Sequence, residues 1–131
     1  MKYLKTDAAP AAAGPYSQGI CAGRTIYVSG QLPLKDGVLA PNITEATNAS
    51  LNHVVSIAKA GGGKKEDIVK CLVFITDMND FQEMNAAYAH FFGENKPARS
   101  CIQVAGLPKG AVLEIEAIAV LNRLCPSPTS Y

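Results

Sequence analysis

Only two histidines, His53 and His90, occur in the 131 residues. His53 has no His, Cys or carboxylate at helical ligand spacing. His90 has Glu94 four residues on, beyond a Gly93 stop, with no third ligand evident. A zinc-type site needs three or four such groups, so a metal is not expected, and both histidines read as helix-surface or boundary residues. No run approaches the roughly 20 apolar residues needed to span a bilayer; the longest lie near Cys71–Ile75 and Ala117–Leu121. No block of like charge exists, and the formal net charge is +1. Lys64-Lys65 is followed at once by Glu66-Asp67, so short of a patch assembled from several subunits no basic face is evident to neutralise a series of phosphates, and nucleic acid is not expected as the main partner. Gly61-Gly62-Gly63-Lys64-Lys65 follows a helix rather than a strand, which excludes a nucleotide loop and suits a helix stop. There is no G-x-S-x-G elbow. None of the four cysteines (21, 71, 101, 125) forms a C-x-x-C pair, and a chain this long and apolar does not need staples. Free thiols and a cytoplasmic location are therefore expected, the more so as Met1–Lys5 lacks an apolar signal core.

What is present is ordinary globular composition, 48% hydrophobic and 18% charged, for one domain. Gln18–Ala22 and Thr25–Ser29 read as a hairpin turning at Gly23-Arg24. A helix is predicted over Thr44–Ala60, with Asn42 or Thr44 as its cap and Leu51, Val54, Val55 and Ala58 as its stripe. Ile68–Thr76 is a strand apolar on both faces, with Val69, Cys71, Val73 and Ile75 on one and Leu72 and Phe74 on the other. A second helix spans Asp80–Phe92, buried along Phe81, Met84, Tyr88 and Phe91. Arg99–Ala105 and Val112–Leu121 complete the order ββ-α-β-α-ββ. The domain is assigned to residues 1–122, and 123–131, with two prolines, is expected to fray. Two helices cover one sheet face only, so the other apolar face predicts a second copy of the chain.

Four features could carry chemistry. Asn85 lies on the apolar face of its helix, where a polar side chain needs a buried hydrogen-bond partner or a ligand. Arg99 shares a strand face with Cys101 and Gln103, and a guanidinium there suits a carboxylate bidentately. An ion pair with Glu114 or Glu116 is the alternative. Those two glutamates share a face of the last strand, which is costly unless they are paired, solvated or functional. If the 107–110 turn is tight, Arg99 faces position 118, and Glu114 lies roughly 13 Å further along. A neighbouring subunit or a bridging ligand must then complete the site. Cys101 is a candidate nucleophile by residue type alone, or simply a buried thiol.

Gly14-Pro15-Tyr16-Ser17-Gln18, Val28-Ser29-Gly30-Gln31-Leu32-Pro33 and Phe74–Phe81 closely resemble the Rid (reactive intermediate deaminase) family, also known as the L-PSP endoribonuclease or translation-inhibitor family. So do Pro97–Cys101, Leu107–Gly110 and Leu113–Ala117, in the order and spacing of the RidA subgroup. The resemblance runs from Lys5 to Leu121 and leaves Arg123–Tyr131 unmatched. It implies a chorismate-mutase-like α+β fold, a ferredoxin-like ββαβαββ sheet with two helices on one face. It also implies a homotrimer with the sheets as an inner barrel and active sites between subunits. The implied activity is cofactor-free hydrolysis of 2-iminobutanoate and 2-iminopropanoate, released by pyridoxal-phosphate enzymes, to 2-oxo acids and ammonia. Arg99 would clamp the substrate carboxylate and Glu114 would activate water. Tyr16, Ser29, Gly30, Asn85 and Cys101 would line the pocket. The alternatives are an endoribonuclease or translation inhibitor, or a module that binds a small carboxylate without turnover.

Overall fold

The computed structural model describes residues 1–126. Its strands are β1 (Lys2–Leu4), β2 (Gly19–Ala22), β3 (Thr25–Gln31), β4 (Leu34–Lys35), β5 (Val38–Leu39), β6 (Ile68–Ile75), β7 (Ala98–Gln103) and β8 (Leu113–Val120). The helices are α1 (Ile43–Ala60) and α2 (Phe81–Phe92). Six strands form one sheet in the order β1-β2-β3-β8-β6-β7, and β4 and β5 pair separately around Asp36-Gly37. This is the predicted ββαβαββ order with both helices on one face, extended by the N-terminal strand.

Local chemistry sets the helix limits. Asn42 caps α1, its side-chain oxygen accepting from the Glu45 amide at 2.9 Å. Gly61 and Gly63 both return amide bonds to the Ala58 carbonyl, and Gly62 takes φ +91°, a conformation open to glycine. Ala46, Leu51, Val54, Ile57 and Ala58 are buried along α1. In α2 the buried stripe is Met84, Ala87, Tyr88 and Phe92, whereas Phe81 and Phe91, predicted to be buried, sit at the core's margin. Both helices cover Ile26, Cys71, Val73, Ile75, Leu113 and Ile115, which have no exposed surface. Burial of side chains of this size contributes roughly 1.5–3 kcal/mol each. The β6 register shifts between Ile68 and Lys70, so Val69 faces outward at 44% exposure instead of joining Cys71 in the core.

The Arg99 strand does not pair with the Glu114 strand. The crossover through α2 returns the chain parallel to β6, so β7 lies beside β6 in the register Cys71↔Arg99, Val73↔Cys101. β8 then inserts antiparallel between β3 and β6. The hairpin expected from a tight 107–110 turn is absent. Val104 instead donates to the Ile75 carbonyl, carrying the chain past the end of β6 before it turns back.

The cysteine expectation is also corrected. Cys21 and Cys125 form a disulfide with Cα atoms 5.8 Å apart, and only Cys71 and Cys101 are free. Arg123 and Cys125, in the stretch expected to fray, are held: the Cys125 amide donates to Gly23 O at 2.6 Å, and Arg123 reaches Gly62 O. The rest of the predicted tail, residues 127–131, lies outside the described residues.

Among the described residues, the sheet face turned away from the helices is uncovered and largely apolar. Tyr3, Ile20, Tyr27 and Ile118 sit in one row across β1, β2, β3 and β8. Tyr3 and Tyr27 are 65% and 51% exposed, and Val120 and Ile102 extend the patch. Among the described residues no helix is long and apolar enough to cross a membrane.

Candidate functional site

The site residues fall into two groups on opposite faces of the sheet. The first group surrounds a cavity of about 470 Å³ lined by Tyr16, Ser29, Gly30, Gln31, Lys109 and Glu114, among others. A β-bulge builds it: Val28 pairs with Ala117 and Gln31 with Ile115, so three steps along β3 match two along β8. The extra residue brings Gly30 against the Glu114 carboxyl group. A Cβ on Gly30 would lie 2.8 Å from both Cδ and Oε1 of Glu114, so only glycine permits this approach. Ser29 is fixed by its amide to Gln18 O at 2.9 Å and by its hydroxyl, which donates to Ser17 O at 2.5 Å. The Tyr16 ring is half-exposed, and its hydroxyl accepts from the Ala13 amide at 3.2 Å.

Glu114 is half-buried between the fully buried Leu113 and Ile115, and it faces outward. Desolvation pushes its carboxyl pKa up, and the charge of Glu116 on the same face adds to the rise. This suits a carboxylate that must gain and lose a proton.

Sequence reasoning passed over Gln18. It is 4% exposed; its Nε2 donates to Thr6 O and Pro10 O at 3.1 and 2.8 Å, and its Oε1 accepts from the Thr6 amide at 2.8 Å. These bonds pin residues 6–10, so that Pro10 and Ala11 form a wall of the cavity. Lys109 was also passed over as a lining residue. Its φ of +61° is uncommon for a non-glycine residue.

The second group lies on the helix side of the edge strand β7. The Arg99 guanidinium carbon stands 4.8 Å from the centre of the Tyr88 ring and 5.7 Å from that of Phe81, and Nη1 is 3.9 Å from Met84 Sδ. The predicted alternative, an ion pair with Glu114 or Glu116, is not formed, because those side chains leave the other face of the sheet: Glu114 pairs with Phe74, and Arg99 with Cys71. Asn85 lies on α2 one turn before Tyr88, and its Oδ1 is buried without a partner among the described residues rather than bonded to the sheet. Cys101 is half-buried, and desolvation raises its thiol pKa against a smaller opposing pull from Arg99. That disfavours the thiolate a nucleophile needs. His53 is accounted for by its Nε2, 2.6 Å from Leu34 O. Among the described residues no three His, Cys, Asp or Glu side chains gather as a metal site.

A sheet of this topology, with a carboxylate seated on a glycine bulge at one face and an arginine on its edge strand, defines the class. Residues 6–121 match the family model described as Endoribonuclease L-PSP, and the chain belongs to that family. A relative from Salmonella typhimurium, 2-iminobutanoate/2-iminopropanoate deaminase, is 48% identical over 124 residues, spanning 91% of this chain and 97% of the relative. Among solved structures, Escherichia coli TdcF with bound serine has a TM-score of 0.89 and 45% identity, covering 92% of this chain and 98% of its own. RidA from an Antarctic Psychrobacter species also scores 0.89, at 38% identity, covering 92% of this chain and all of its own.

Proposed function

We propose that the protein hydrolyses 2-imino acids, 2-iminobutanoate and 2-iminopropanoate first among them, to 2-oxo acids and ammonia in the cytoplasm. The site is completed between two copies of the chain in a homotrimer. The observation that carries the reading is a glycine-seated Glu114 of raised pKa on one face of the sheet and, on the other, a guanidinium that no carboxylate among the described residues engages. The uncovered apolar sheet face supplies the contact surface for the neighbouring copy. The named activity of the Salmonella relative and the serine bound to TdcF agree with a small amino-acid-like carboxylate as ligand.

In this mechanism Arg99 of one copy holds the substrate carboxylate with two parallel N–H bonds. The imine carbon is thereby set over the cavity of the adjoining copy. Glu114 accepts a proton from a water that adds to C2, and the C=N electron pair moves to nitrogen. Glu114 then returns the proton to that nitrogen. The C–N bond breaks as the hydroxyl collapses to the carbonyl, and ammonia leaves with the hydroxyl proton. A protonated imine is electrophilic enough that positioning and proton transfer suffice. The Ser29 hydroxyl, Tyr16 and the backbone at Gly30 shape the wall, while Asn85 and Cys101 line the Arg99 side.

The direct test is ammonia release from freshly generated 2-iminobutanoate, by wild type beside Arg99→Ala and Glu114→Ala. Acceleration over buffer that both variants lose is expected; a wild-type rate equal to buffer would overturn the proposal. Two narrower outcomes follow. Gly30→Ala is expected to keep the fold, because the clashing atoms end a flexible side chain. It displaces the Glu114 carboxylate and lowers kcat by about 10²-fold, at the low end for losing a general base. A Gly30→Ala enzyme with unchanged kcat would place the proton acceptor elsewhere. Because Glu114 works ionised, activity falls as pH drops through its raised pKa. Removing the Glu116 charge in Glu116→Gln lowers that pKa, so the acid limb of the pH–rate profile moves to lower pH. An unmoved limb would mean that another group titrates.

A further inference from the structure

We infer that Tyr88 is a positioning residue: its ring face, flanked by Phe81 and Met84, is the socket that aims the Arg99 guanidinium while engaging a single donor, the Nη1 N–H turned to Met84 Sδ. The inference rests on the deaminase reading above and deepens it. Phe81, Met84 and Tyr88 lie on one face of α2, and sequence periodicity reads them simply as core. In the structure all three also meet one cation: the Tyr88 ring at 4.8 Å, the Phe81 ring at 5.7 Å and Met84 Sδ at 3.9 Å from Nη1. Tyr88 is 5% exposed, so its ring is a fixed surface. Its hydroxyl is buried beside the Cys71 thiol without a well-formed hydrogen bond, so the ring face carries the contact to Arg99.

The choice of partner matters chemically. A carboxylate holding Arg99 would occupy the same N–H fork that a substrate carboxylate needs. An aromatic face attracts the cation through its quadrupole and takes up no donor. Arg99 stands on an edge strand, where a long side chain without such a socket would sample many rotamers and lose that freedom on binding. The platform removes much of that entropy before substrate arrives, so its effect appears in substrate binding rather than in the chemical step.

The test compares Tyr88→Phe and Tyr88→Leu with enzymes carrying phenylalanine of increasing ring fluorination at position 88. Fluorination drains the quadrupole while nearly keeping the ring's shape. KM for 2-iminobutanoate and Kd for 2-oxobutanoate are expected to stay near wild type in Tyr88→Phe. Both climb stepwise with fluorine number, by about tenfold at full fluorination, with kcat little changed. Tyr88→Leu raises KM similarly, and adding it to Arg99→Ala has no further effect on KM. A flat fluorination series, with Arg99→Ala still raising KM, overturns the platform alone. If Arg99→Ala leaves KM and Kd unchanged, the carboxylate clamp and the platform fall together. Should Tyr88→Leu fail to fold, the fluorinated series still decides the matter.

Discussion

Replacing Arg99 by alanine is expected to lower kcat/KM for 2-iminobutanoate by about 10²–10³-fold. A charge-assisted hydrogen bond contributes roughly 1.5–3 kcal/mol, and a bidentate pair contains two, incompletely additive. A net loss of about 3–4 kcal/mol follows. The loss enters through binding, so the affinity for 2-oxobutanoate falls with it. Arg99→Lys keeps the charge but not the planar fork, and is expected to lie between the two. Ammonia release and product titration together check this. Because Arg99 also packs on Met84, a thermal melt of each variant separates lost clamping from lost folding. Near-wild-type kcat/KM in a folded Arg99→Ala enzyme would remove the guanidinium from the site.

The second large effect concerns stability. The Cys21–Cys125 bond spans 104 residues, nearly the whole domain. Closing a loop of that size restricts the unfolded chain by about 4–5 kcal/mol. Reduction, or Cys125→Ser, is therefore expected to lower the melting temperature on the order of 15 °C for a domain this size. The bond lies at the β2–β3 turn and β8's exit, where Cys125 N meets Gly23 O, while the proposed site is built by the Ser29-Gly30 bulge and by β7. Activity at moderate temperature is accordingly expected to survive reduction. Melting oxidised protein with and without a dithiol reductant, beside Cys125→Ser, tests this. Identical midpoints in all three samples would show that the bond does not constrain the chain in solution.

Much of the fold was legible because it is encoded locally. The α1 limits follow from Asn42 and the 61–63 glycines, and the β8 alternation places Leu113, Ile115 and Ala117 inward and Glu114 outward, as observed. The uncovered apolar face was legible too, since two helices cannot cover both sides of a sheet. Three features were not, and each is non-local. Sequence order alone pairs β7 with β8, its next strand; the α2 crossover fixes β7 parallel to β6 instead. The disulfide joins cysteines 104 residues apart, with no spacing motif to mark it. The Gln18 pin and the Ser29-Gly30 bulge arise from pairing geometry that residue types do not display. Arg99 and Glu114 are thus separated by the sheet itself rather than by distance along a hairpin. If the two serve one site, as proposed, another copy must complete it.

That requirement has a direct measurement. Arg99→Ala and Glu114→Ala chains, each silent alone, are co-expressed with different tags, and the mixed oligomers are purified. If each site takes Arg99 from one copy and Glu114 from the next, every mixed trimer, whichever its composition, regains one intact site of its three. Ammonia release then recovers to about a third of the wild-type rate per chain. If both residues serve a site within a single chain, every site in the mixture lacks one of them. Mixed oligomers as inactive as their parents would contradict the account.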